Sequence, residues 1–222
     1  MAKPNGSNDR DAISELTTGR LSVYLRCLSF LETQGQKTVS SHEMADRFHL
    51  NSAQIRKDLA CFGEFGTRGV GYDVTRLKTQ LVETLGIDRA RRVIIVGAGN
   101  LGMALADYAG FNSNGFHIIA IVDVDLGKVG RTSREGIPVH HWERVHEIVR
   151  RNRVEIGIIA VPAEAAQTVY DALVDAGLHA ILNFAPVQLK LRPGVKLKSV
   201  DLRINLESLS FHLKNVEDGI VM

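Results

Sequence analysis

The chain has only two cysteines, and Cys27 and Cys61 form neither a C-x-x-C pair nor a cluster with metal-ligand spacing. Both fall in apolar helical patterns, so both are expected as buried thiols, and no metal is expected. No apolar run approaches the roughly 18 residues that a membrane span needs, so no membrane partner is expected. Residues 1–11 are polar and lack the apolar stretch of a secretory signal. They are read as a disordered tail, and the protein as cytoplasmic. Strong charge of one sign is missing too. The formal net charge is +2, which is too mild to argue for nucleic-acid binding by itself. Between residues 47 and 72, Arg47, Arg56, Lys57 and Arg68 outnumber Asp58 and Glu64. That local excess permits DNA binding without establishing it.

What is present is the composition of an ordinary globular protein, with 45% hydrophobic and 23% charged residues in a chain of 222. That length has room for two modest domains, and no internal repeat is visible. Residues 12–86 read as helical with one Gly-rich interruption. Leu21, Tyr24, Leu25, Leu28 and Leu31 recur at helical spacing, and Gly35 ends that helix. Ser40 with Glu43 three positions later forms a capping-box pattern ahead of Met44, Ala45 and Phe48. Asn51 or Ser52 is placed to cap a further helix, about 53–62, with Ile55, Leu59 and Phe62 on one face. Helix, tight turn and helix make a helix-turn-helix. Gly63, Gly66, Gly69 and Gly71 among β-formers then predict a short hairpin, or wing. A helix over 75–85 closes the block at Gly86.

From residue 90 to 200, β-branched runs alternate with helical runs. Strands are expected over 91–96, 117–122, 137–139, 155–161, 178–183 and 196–200, with helices over 101–109, 142–151 and 163–176. The first strand, Arg91-Arg92-Val93-Ile94-Ile95-Val96, lacks alternation, as a strand buried on both faces does. The pattern predicts an α/β fold with a Rossmann-like, doubly wound parallel sheet. An amphipathic stretch at 201–214 and a tail at 215–222 complete the chain.

Gly97-Ala98-Gly99-Asn100-Leu101-Gly102 follows that strand and opens a helix, the context in which G-x-G-x-x-G binds dinucleotides. Gly97 suits the tight turn, Gly99 the approach of a pyrophosphate, and Gly102 close helix–strand packing. Phosphates would rest on the helix N-terminus. The next strand ends at Asp123, 21 residues beyond Gly102, where an acid accepts ribose hydroxyls and repels a 2′-phosphate. That favours NAD(H) over NADP(H). Two further strand ends, Val161-Pro162 and Asn183-Phe184-Ala185-Pro186, are expected to line the crevice. None of the eight histidines falls beside those two strand ends, and no catalytic residue is assigned. On the helix after Asn51, Gln54, Arg56 and Lys57 lie near the N-terminus, where recognition helices contact bases. Arg68 sits at the wing tip and suits a minor groove or phosphates. At this level three readings stay open: a sensor that binds DNA, an NAD-dependent oxidoreductase with a helical extension, and a coenzyme-A-type module.

Ser52-Ala53-Gln54-Ile55-Arg56-Lys57-Asp58-Leu59, the Gly63–Tyr72 wing and the Gly97–Leu105 loop, taken together, resemble the Rex family of bacterial redox-sensing repressors. The resemblance covers about residues 12–213. It implies a winged-helix DNA-binding domain, a Rossmann NAD(H)-binding domain and a C-terminal helix, 201–214, exchanged within a homodimer. It implies a palindromic operator, released when NADH binds, with NAD+ competing but not releasing. Ser52 and Gly69 join Gln54, Arg56, Lys57 and Arg68 as implied DNA contacts, and Asn100 and Leu101 join the glycines at the cofactor. It further implies a polar network near the nicotinamide made of Tyr108, Arg20 and Asp201 of the partner subunit, with Phe184 as part of the ring's wall.

Overall fold

A computed structural model describes residues 15–63, 65–67, 69–112 and 114–218. The expected N-terminal tail, Arg68 at the wing tip and the last four residues lie outside them. The chain divides into two compact units, Met1–Arg89 and Ala90–Met222. Among the described residues no helix is long and apolar enough to cross a membrane.

The first unit begins with α1 (Glu15–Thr33), whose Leu21, Tyr24, Leu28 and Leu31 are buried at helical spacing. β1 (Thr38–Val39) precedes α2 (Ser41–Phe48). The capping box is complete: Glu43 N–H donates to Ser40 Oγ at 3.1 Å, and Ser40 N–H donates to Glu43 Oε2 at 2.6 Å. A cap of this kind is worth about 1 kcal/mol. α3 (Ser52–Ala60) starts at Asn51, whose Oδ1 accepts the Gln54 N–H at 2.9 Å. β2 (Gly66–Thr67) and β3 (Gly71–Asp73) make the expected hairpin, with Thr67 opposite Gly71. β3 also pairs with β1, giving a three-stranded sheet in the order β1-β3-β2. Gly71 is needed there: its φ is +96°, and a Cβ would lie 2.6 Å from the Val39 carbonyl oxygen. Asp73 then caps α4 (Val74–Thr84), which packs on α1. Leu28, Met44, Ile55, Leu59, Leu77 and Leu81 join in one core.

One sequence expectation fails in this unit. Cys27 is buried, and burial pushes its thiol up, but Cys61 is exposed at the end of α3. The two residues from buried Leu59 to Cys61 turn through about 200° of helix, which carries Cys61 to the opposite face.

The second unit is a six-stranded, wholly parallel sheet in the order β6-β5-β4-β7-β8-β9. The strands are β4 (Arg91–Val96), β5 (Phe116–Asp123), β6 (Val139–His141), β7 (Ile156–Ile159), β8 (Ala180–Asn183) and β9 (Lys196–Ser199). β4 explains its apolar run: Ile94 and Val96 join a core with α7 (Val145–Asn152) and α8 (Ala163–Asp175), while Val93 and Ile95 join the core on the other face. The order reverses where β4 meets β7, the switch point at which such sheets bind ligands.

The helix expected over 101–109 is broken into α5 (Asn100–Ala106) and α6 (Ala109–Asn112). At the break, the Asp107 carboxylate accepts the Glu135 N–H at 3.0 Å. The strand expected at 137–139 starts later, at Val139, because Pro138 has no N–H to give a ladder. α9 (Leu202–Glu217) runs beyond the stretch expected for it.

Candidate nucleotide site and DNA-facing helix

The loop after β4 is held by backbone geometry that only glycine permits. Gly97 has φ +105°, and a Cβ there would lie 2.3 Å from the Ala160 carbonyl oxygen. A Cβ on Gly102 would lie 1.8 Å from the Gly97 carbonyl oxygen. At Gly99 a Cβ would meet nothing within 4 Å, so the space above its backbone is open. Gly99 is the N-cap of α5 and has no side chain to offer. A phosphate oxygen suits the N–H groups of that first turn.

Asp123, at the end of β5, is buried and ties the loop down. Its Oδ2 accepts the Ala98 N–H at 2.7 Å and the Lys128 ammonium at 3.2 Å, and its Oδ1 accepts the Asp125 N–H at 2.8 Å. Burial alone would push this carboxyl up, but the Asp125 and Ala98 amides and Lys128 together hold it below the usual range. A carboxylate has about four acceptor sites, so the same group can hold the loop and take a ribose hydroxyl. Asp123→Ala is expected to weaken NADH at least tenfold, since a hydrogen bond to a charged group is worth about 1.5–3 kcal/mol. Titration of the reduced-nicotinamide fluorescence checks this. Unchanged affinity would remove the ribose role.

A cavity of 560 Å³ opens over the ends of β4, β5 and β7. Of the expected residues, Gly97, Gly99, Asp123, Val161 and Pro162 line it. Val124 and Trp142 add an apolar wall, and Lys128 a charge, none of which sequence reading assigned. A second hollow of 310 Å³ shares Gly99 and Lys128 with the first and is lined also by Asn100 and Arg131, among others. The remaining residues stand elsewhere. Leu101 is exposed on α5. Tyr108 is 58% exposed, edge-on to Phe111 at 5.1 Å between ring centroids. Asn183 is fully buried, and its amide closes the following turn by bonding both N–H and carbonyl of Ala185. Phe184 is half-buried against the core, and Pro186 is exposed. Among the described residues no His, Cys, Asp and Glu cluster could hold a metal ion.

In the first unit, Arg56 and Lys57 are exposed on α3, with Arg56 Nη1 donating to Ser41 Oγ at 3.0 Å. Ser52 is half-buried at the helix start and Gly69 is exposed in the wing turn. Arg20 lies on Asp58: Nε donates to Oδ2 at 2.5 Å and Nη2 to Oδ1 at 2.8 Å. Tyr24 O–H and Gln54 Nε2 donate to the same carboxylate, at 2.9 and 2.7 Å. The Arg20 guanidinium holds the Asp58 carboxyl below its usual range, against the opposing effect of burial, and Gln54 and Tyr24 reinforce it. Asp58 thus contributes stability that is fully present above its unfolded value, near 3.9, and lost as pH falls through the depressed folded value. Below about pH 4 the wild type is expected to lose helix that Asp58→Asn loses less steeply, as followed by circular dichroism. Equal acid slopes would contradict the assignment.

Known proteins of similar sequence decide the family. The redox-sensing transcriptional repressor Rex of Pelotomaculum thermopropionicum is 49% identical over 92% of this chain and 96% of its own. The Rex of Streptomyces coelicolor is 48% identical over 90% of this chain and 77% of its own. The chain belongs to the Rex family. Two Rex-family crystal structures share its fold. RSP in complex with β-NAD+ and operator DNA matches with a TM-score of 0.88 at 38% identity, over 94% of this chain and 95% of that one. RSP in complex with β-NADH matches at 0.83 and 36%, over 94% and 97%. Two family profiles match separate parts of the chain. Residues 12–60 match "Putative DNA-binding protein N-terminus" and 88–187 match "CoA binding domain". The second match spans the Gly97–Gly102 loop, Asp123 and Val161.

Proposed function

We propose that this chain is a redox-sensing repressor: a homodimer that holds a palindromic operator and releases it when NADH enters the cavity beside the Gly97–Gly102 loop. One observation carries the reading. A capped helix-turn-helix with a wing and a glycine loop closed by a buried acid occur in one chain, in the family of repressors with which it shares about half its residues. Residues 12–86 serve as the DNA-binding domain and 90–200 as the NAD(H)-binding domain. Gly97, Gly99, Asn100, Leu101, Gly102, Asp123, Val161 and Pro162 hold the dinucleotide, with Asn183, Phe184 and Pro186 framing the crevice. Coenzyme A carries a phosphate on its ribose, which the negative charge of Asp123 disfavours, so NAD(H) is the preferred ligand. The ionised groups at the cavity, Asp123, Asp125 and Lys128, are tied to one another and to backbone amides, an arrangement suited to holding a ligand rather than turning it over. The site of action is the cytoplasm, where the operator is.

NAD+ carries a positive nicotinamide ring and NADH a neutral one. A site with apolar walls and fixed charges separates the two. Tyr108, Arg20 and Asp201 of the partner subunit are the groups proposed to read that difference. A ligand shifts the protein only by its differential affinity for two states. Tenfold release of DNA needs about 1.4 kcal/mol of coupling.

Ser52, Gln54, Arg56, Lys57, Arg68 and Gly69 face the operator in this reading. Lys57→Ala is expected to weaken specific and non-specific DNA alike and to reduce the salt slope of binding by about one, with NADH affinity unchanged. An unaltered slope would take Lys57 off the phosphates. The whole reading is tested by the anisotropy of a labelled palindromic duplex from the promoter next to this protein's own gene, at fixed salt. NADH releases the duplex at concentrations where NAD+ does little. Failure to bind any promoter duplex, or steady oxidation of NADH by a small carbonyl compound, would overturn it.

A further inference from the structure

We infer that Asp58 is a positioning residue for base readout, locking the Gln54 carboxamide so that it presents an ordered acceptor–donor pair to the DNA. This rests on the repressor reading of α3. Asp58 is 2% exposed, yet it lies on the helix that carries Gln54, Arg56 and Lys57. Four donors converge on it: two from Arg20, one from Tyr24 and one from Gln54. An ionised carboxylate only accepts hydrogen bonds. The amide of Gln54 must therefore turn its nitrogen toward Asp58, at 2.7 Å. The flipped amide would set two acceptor oxygens against each other.

With one N–H spent, Gln54 keeps one N–H and Oε1. A donor beside an acceptor matches adenine, which offers N7 as acceptor and N6–H as donor in the major groove; guanine offers two acceptors there. Asp58 thus converts an amide that could read either purine into one that reads adenine. Arg20 makes this arrangement compatible with DNA. Its two parallel bonds neutralise a carboxylate that would otherwise repel phosphates from the recognition helix.

The test measures anisotropy with the natural operator and with duplexes in which each base pair of the half-site is replaced in turn. The full-length wild type, Gln54→Ala and Asp58→Asn are compared. The wild type is expected to lose at least about fivefold when one particular A·T pair is replaced. Gln54→Ala is expected to lose that preference. Asp58→Asn offers an N–H to Gln54 Oε1, frees the amide to flip, and is expected to lose the same preference while binding random duplex at least as tightly as the wild type does, since the Arg20 charge is no longer neutralised. A merely structural Asp58 would lower affinity for every duplex in proportion and keep the preference, which overturns the proposal. So does a preference that survives Gln54→Ala. If Asp58→Asn fails to fold, Gln54→Asn carries the test: it keeps an amide but is too short to reach Asp58, and a full preference there overturns the locking. Wild type that binds no duplex specifically overturns the repressor reading along with this one.

Discussion

Gly102→Ala is expected to cut NADH affinity by about a hundredfold or more while the N-terminal unit keeps its helices. The reason is geometric. The added methyl would sit 1.8 Å from the Gly97 carbonyl oxygen, and both are backbone positions that no rotamer change can relieve. The start of α5 must move off β4, and with it the N–H groups proposed to hold the phosphates. Overpacking of this kind costs about 1–3 kcal/mol before any ligand contact is lost. Gly99→Ala separates fold from site. Its Cβ meets nothing within 4 Å, so the protein should melt as the wild type does, and any loss of NADH reports a clash with the ligand alone. Calorimetric melting beside NADH titration distinguishes the two. Wild-type affinity in Gly102→Ala would mean that the loop does not bind the dinucleotide.

The other large effect is expected at α9. Leu202, Leu206, Leu209, Leu213 and Val216 recur at alternating spacings of four and three, and Ile204 and Phe211 lie on the opposite face. All seven are between 46% and 67% exposed in the single chain. Fully burying one such side chain is worth about 1.5–3 kcal/mol, so leaving seven in water on one helix is costly. The exchange of this helix within a homodimer that the family resemblance implies would supply the missing cover. Leu206→Asp with Leu209→Asp is expected to leave a species of 24.4 kDa where the wild type shows twice that mass. Without the dimer the two half-sites are no longer read together, and operator affinity falls by about 10²–10⁴-fold. Light scattering on a sizing column measures the mass. A stable dimer in the double variant would place the subunit contact elsewhere.

Much of this was legible in the sequence because it is local. The Ser40–Glu43 box, the Asn51 cap and the glycine loop are each set by residues a few positions apart, and the structure forms all three. What escaped is held across distance or lies in loops without periodicity. β1 is two residues long, too short to show alternation, and exists because β3 pairs with it. Lys128 and Arg131 reach the two cavities from an irregular segment that carries no motif, and Trp142 from a single 3-10 turn ahead of α7. Asp123 is legible as an acid at a strand end, while its bond to Ala98 across 25 positions, which anchors the loop, has no sequence signature. Arg20 and Asp58 stand 38 residues apart, so nothing in either neighbourhood announces their pairing. Cys61 is exposed despite its apolar neighbour Leu59, because a residue two positions away on a helix lies on the other face.

The central claim is that NADH and operator oppose each other through one protein. Binding free energies are reciprocal, so the factor by which NADH weakens the operator must equal the factor by which the operator weakens NADH. The measurement is the dissociation constant of NADH, from nicotinamide fluorescence, with and without a saturating operator duplex at the same salt. The account predicts that the duplex weakens NADH at least tenfold and NAD+ far less. Equal NADH affinity in the two conditions would contradict it.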